Sequence, residues 1–76
     1  MIYNKFYLMP VDNRKSFYNK CYVETVGNFA TLYSYNTKIV TYNTETKDVI
    51  KHSAYNYSAT TKRHQRAFAA YYNIEL

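Results

Sequence analysis

Eleven tyrosines in a chain of 76 residues, beside four Phe and no Trp, decide what this chain can fold into. A chain this short buries only about 60 % of the surface that its unfolded form exposes. With so little room, Tyr must supply part of any core, because its ring can be buried while its hydroxyl stays wet or finds an acceptor. Eleven rings exceed what such a core can hold. Several are therefore expected at the surface, either as an interface or as cover for a sheet, and a homodimer is a natural expectation.

The rest of the composition narrows the class. With 47 % hydrophobic residues, the composition argues against disorder. One Gly, one Pro and one Cys rule out collagen, a flexible linker and a disulfide-stapled mini-protein. Cys21 has no partner in the sequence and reads as a small buried hydrophobe. No linker or repeat divides the chain, which reads as a single domain, 1–76. The first ten residues lack the apolar stretch of a signal peptide, and the longest apolar run, Ala67 to Tyr72, cannot span a bilayer. A cytoplasmic protein with no membrane association is expected.

Turn signals place the elements. Ile2 to Met9 reads as a first strand ended by Pro10, and Val11 to Lys15 as a polar connection. Phe17 to Val26 and Phe29 to Tyr35 read as strands joined by Gly27-Asn28, a two-residue hairpin signal. After a bend at Asn36-Thr37, Lys38 to Tyr42 reads as a strand. Asn43 to Lys47 follows as a polar turn, and Asp48 to Tyr57 as the last strand. The period then changes to helical. Ser58 to Thr61 offer capping hydroxyls to a helix over about Thr60 to Tyr72. His64, Ala67, Phe68, Tyr71 and Ile74 share one helical face, with Phe68 and Tyr71 expected on the sheet. The fold class is α+β: an antiparallel β-meander of four to five strands with one C-terminal amphipathic helix packed on one face. The open face of the sheet would carry many of the tyrosines.

Ten Lys and Arg against five Asp and Glu give a net charge of +5. Lys62, Arg63 and Arg66 form the most concentrated cationic patch, on the solvent side of the helix. Positive charge in a first helical turn opposes the macrodipole at a cost of a few tenths of a kcal/mol, which favours a use for it. Alternation places Tyr33 with Tyr35, and Tyr55 with Tyr57, on common strand faces. Aromatics beside cations can stack nucleobases, and Tyr with Arg is equally the composition of protein-interface hot spots. The Gly-and-aromatic motif of an RNA-recognition domain is absent. His52 and His64 are the only histidines, and neither pairs with Cys21 or a carboxylate at metal-ligand spacing. No metal, cofactor or catalytic residue is expected. His64 reads as a packed side chain whose ring nitrogen finds a backbone or hydroxyl partner.

Three stretches carry a resemblance. They are Ser16-Phe-Tyr-Asn-Lys-Cys-Tyr-Val23, Leu32-Tyr-Ser-Tyr-Asn-Thr-Lys-Ile-Val40 and Tyr57-Ser-Ala-Thr-Thr-Lys-Arg-His64, the last followed by Gln65-Arg-Ala-Phe68. Together they resemble a family of small uncharacterised domains found in open reading frames of phages and plasmids of Gram-positive bacteria. The chain departs from it at Ala67, where relatives often carry an acid, and in lacking a Trp on the last strand. The resemblance implies a mobile-element origin and a structural joint at Ser58, Thr60, Thr61 and His64. It supplies no catalytic residue. By analogy with other small mobile-element proteins, the expected function is stoichiometric inhibition of a host defence system, of anti-CRISPR type. The partner would be a defence protein or ribonucleoprotein, a Cas effector among them. The alternative is a nucleic-acid-binding accessory protein. Either would use Lys62, Arg63 and Arg66 with Tyr33, Tyr35, Tyr55 and Tyr57.

Overall fold

A computed structural model describes residues 3–9 and 20–76. Ile2, Pro10, the polar connection at Val11 to Lys15 and the strand residues Phe17 to Asn19 lie outside the described residues. Five antiparallel strands follow one another in simple order: β1 (Tyr3–Tyr7), β2 (Cys21–Val26), β3 (Phe29–Ser34), β4 (Thr37–Asn43) and β5 (Val49–Lys51). A single helix, α1 (Ala59–Tyr72), completes an α+β meander.

Turn chemistry sets the register. Gly27 takes φ 58 at no steric cost, so Val26 faces Phe29 across a two-residue turn. The next turn is also two residues long, but it is built from Tyr35 and Asn36 at φ 52 and 64. Positive φ at both positions matches the right-handed twist of the flanking strands. In the β4–β5 loop, Asn43 Oδ1 accepts from the amides of Glu45 and Thr46 at 2.9 and 3.1 Å. That side chain stands in for backbone partners in the turn.

Alternation then divides the sheet. One face carries Phe6, Val23, Ala30, Leu32, Val40 and Tyr42, and α1 covers it with Ala67 and Phe68. Ile39 and Val40 are consecutive yet both buried. A bulge in β4 explains this: Leu32 pairs with Val40 but Tyr33 pairs with Lys38, so Ile39 is the extra residue. Cys21 is fully buried, and burial pushes its thiol up to about 12.

The helix begins as its hydroxyls indicate. Ser58 is the N-cap, with Oγ accepting from the Thr61 amide at 3.1 Å. It ends at Asn73 in the left-handed region, where the Asn73 and Ile74 amides bond back to the Ala70 and Ala69 carbonyls. Ile74 therefore lies past the cap and is not part of the helical face. Tyr72, and not Tyr71, turns inward at the end of α1, with its ring 5.5 Å from Tyr42 and 5.0 Å from Phe68. Tyr71 is 59 % exposed and rests against Phe6 at the β1 edge.

The expected last strand, Asp48 to Tyr57, is corrected. β5 stops at Lys51, and residues 53–56 form turns. Asn56 adopts φ 60, and its side chain and amide are both clasped by Gln65, at 2.8 Å each. This two-point bond to a buried helical side chain, together with an Asn at ease in the left-handed region, overrides the strand preference of a Tyr-rich stretch.

Candidate functional site

Among the described residues, the tyrosines occupy distinct surroundings. On the open face of the sheet, Tyr22 and Tyr33 stack with centroids 5.0 Å apart and planes 4° from parallel. Tyr7 meets Tyr22 edge-on at 5.8 Å, and Lys5 Nζ sits 4.4 Å from the Tyr22 centroid. The Tyr22 hydroxyl donates to Asn36 Oδ1 at 3.0 Å. Desolvation first, and the nearby Glu24 carboxylate next, hold the phenols of Tyr3 and Tyr33 above their usual value. Rings, cation and carboxylate satisfy one another here, and Tyr22 is only 7 % exposed.

On the helix side the arrangement is different. A groove of about 640 Å³ runs between α1, the turn after β5 and residues 74–76. Lys62 and Arg66 stand one helical turn apart on one wall, and Lys51 and Tyr55 on the other. Lys51 Nζ lies 4.9 Å from the Tyr55 centroid, held as a cation over a half-buried ring. Among the described residues, Lys62 and Arg66 make no ion pair. Among the described residues, Glu75 is the one acidic side chain lining the groove. Like charges one turn apart repel by a few tenths of a kcal/mol, and α1 has no acid in its first turn to offset its cations. An anionic partner would relieve this.

The seven residues singled out in the sequence are thus distributed over separate places. Lys62, Arg66 and Tyr55 come together in the groove. Arg63 does not line it; it is half-buried and faces the neighbourhood of His64. Tyr33 lies on the opposite face of the sheet. Tyr35 and Tyr57 flank a cleft at the start of α1. The alternation argument for Tyr33 with Tyr35 fails because Tyr35 is in the turn at positive φ, which sends its ring to the helix side, 5.9 Å from the His64 ring. The argument for Tyr55 with Tyr57 fails because neither is on a strand. Lys51 and the Gln65–Asn56 clasp were missed, since no periodicity in the sequence links β5 to α1.

His64 is a joint between helix and sheet. It is 1 % exposed, and its Nδ1 shares a hydrogen bond with Ser34 Oγ at 2.7 Å. Burial first, and Arg63 second, lower its pKa from 6.5 to about 4, so the ring is neutral at pH 7. On the open face, His52 Nε2 and Thr41 Oγ1 are 2.8 Å apart. The two imidazoles therefore lie on opposite faces of the sheet. Among the described residues, no three His, Cys, Asp or Glu side chains gather as a metal site, and no helix is long and apolar enough to cross a membrane.

Comparison with known proteins places residues 6–75 under the model of a family of unknown function, DUF8033. No curated protein and no solved structure matches the chain.

Proposed function

The chain belongs to DUF8033, a family of unknown function, and from that premise we propose that it is a non-enzymatic binding protein acting stoichiometrically through its helix-side groove. The single observation that carries this reading is the convergence of Lys51, Lys62 and Arg66 around Tyr55. Cations from a strand and a helix share one groove with Tyr55, and among the described residues lining it Glu75 is the one acidic side chain. Such a groove fits an acidic or phosphate-bearing surface, with Tyr55 and Arg66 as hot-spot residue types. The net charge of +5 steers association with an anionic partner from a distance.

The biological reading is inhibition of a host defence complex, of anti-CRISPR type, by a protein of phage or plasmid origin. Its support is the resemblance carried by the Leu32–Val40 and Tyr57–Phe68 stretches, together with a basic surface suited to a guide-carrying ribonucleoprotein. The test is DNA cleavage by a guide-loaded Cas effector retained on the tagged protein after nuclease treatment. Cleavage should stop at a fixed molar ratio, and Lys62→Ala with Arg66→Ala should raise the required concentration at least tenfold while the circular dichroism spectrum is kept. Full cleavage at large excess of the protein, or undiminished inhibition by the double variant, would sink the reading.

A further inference from the structure

A second concave site, away from the groove, lies between the β3–β4 turn and the start of α1. It encloses about 570 Å³, within the range of ordinary ligand pockets. Its apolar lining is Ile39, 1 % exposed, and Ala54. Two tyrosines flank it with their rings largely in solvent: Tyr35 is 56 % and Tyr57 82 % exposed. Unlike the open-face tyrosines, Tyr57 stacks on no other ring among the described residues.

Tyr35 stands there at a cost. It occupies the left-handed region at φ 52, in a turn position that Asn, Asp or Gly fills without strain. A Tyr pays about 1–2 kcal/mol for that conformation. The strain places an exposed ring at the edge of a cleft, and observed backbone outliers of this kind cluster at binding sites.

The hydroxyls of the cleft are of two kinds. Ser34 is engaged by His64, and Ser58 and Thr61 by each other. Thr37 and Thr60, which also line the cleft, carry no side-chain hydrogen bond among the described residues. A free hydroxyl can both donate and accept. Flat rings to stack on, an apolar lining and hydroxyls of both polarities suit a planar heteroaromatic ring better than a purely aliphatic side chain. Exposed Lys38 and Lys62, each next in the chain to a lining threonine, supply charge for a phosphate backbone.

We propose that this cleft receives an unpaired base of a single-stranded nucleic acid, stacked against Tyr57 and Tyr35 and bonded at its edge by Thr37 and Thr60. The proposal goes beyond the groove reading and does not depend on it, because no groove-wall residue except Lys62 enters it and Lys62 is left intact in the test.

The experiment is a titration of labelled single-stranded DNA and RNA of about ten nucleotides, followed by fluorescence anisotropy at several salt concentrations. The native protein should bind at low salt. Tyr57→Ala should weaken binding about 5- to 150-fold, the range of one lost base–aromatic stack. The slope of log affinity against log salt should stay unchanged, because no phosphate contact is removed. Tyr35→Asn should weaken binding similarly while the melting temperature holds or rises. That second variant separates a lost contact from a lost fold. Absence of binding at low salt would overturn the proposal. So would unchanged affinity in both variants, which would make the binding purely electrostatic, or displacement of the oligonucleotide by an aromatic peptide and not by unlabelled nucleic acid.

Discussion

The two faces of the sheet bury aromatic surface in opposite ways. The covered face hides Val23, Leu32, Ile39, Val40 and Phe68 behind a helix, and each is 1 % exposed or less. The open face has no helix, yet Tyr22 is 7 % exposed, because Tyr33, Tyr7 and Lys5 pack around its ring. The first face is dry, and its polar atoms must be matched one for one, as Ser34 and His64 are. The second is amphipathic, with the Tyr22 hydroxyl donating to Asn36 and the Glu24 carboxylate close to the phenols of Tyr3 and Tyr33. A small chain that cannot build a second apolar layer can still shield its sheet with tyrosines. Among the described residues, Tyr55 on the groove and Tyr35 and Tyr57 at the cleft lie outside both arrangements and are placed to serve a partner.

That contrast can be broken from the covered side first. Phe68 is fully buried at the centre of the helix–sheet contact. Phe68→Ala should cost about 3–5 kcal/mol, enough to unfold much of the population, as read by urea denaturation. The matching truncation on the open face, Tyr33→Ala, should cost far less, because the ring is only half-buried and its loss opens no cavity. Equal costs would mean that the open face is also core.

Acid should act on the covered face through His64. The folded-state pKa of His64 is lowered from 6.5 to about 4, so the unfolded chain binds this proton more readily than the folded one. The associated stability is complete above 6.5 and is lost as pH falls towards about 4. The slope should approach about 1.4 kcal/mol per pH unit in that window. The pH dependence of the denaturation midpoint across that window should flatten in His64→Gln.

The smallest effect sharpens the comparison at Lys5. Its ammonium lies over Tyr22 and, at 5.5 Å, over Tyr7, in reach of solvent. Lys5→Met keeps the stem and removes the charge. It should cost about 0.5–1 kcal/mol in low salt, the size of an exposed cation–π contact, by the same urea titration. A larger loss would show that the ammonium holds the whole tyrosine cluster together.

Much of this architecture could be read residue by residue. Gly27-Asn28 set the first hairpin, Ser58 and Thr61 the helix start, and the apolar spacing of His64, Ala67 and Phe68 the face that packs. These are local signals, carried by residues adjacent in sequence or one helical turn apart. The candidate site was legible only in pieces. Lys62 and Arg66 were visible as a patch, but their partners Lys51 and Tyr55 come from another element. Tyr33 was assigned to the wrong neighbours, because its alternation partner Tyr35 leaves the strand at the turn.

The chain's own composition and short-range spacing determined a small, basic, Tyr-covered meander with a capped helix, since turn dihedrals, capping hydroxyls and side-chain period act over a few residues. Which tyrosines lie open, which cations share a groove and where the last strand stops were decided by tertiary contacts. The Gln65 clasp on Asn56 joins residues nine apart, and the bulge at Ile39 exists only in the pairing of β3 with β4. Both depend on the packed geometry of separate elements, which local propensity does not encode.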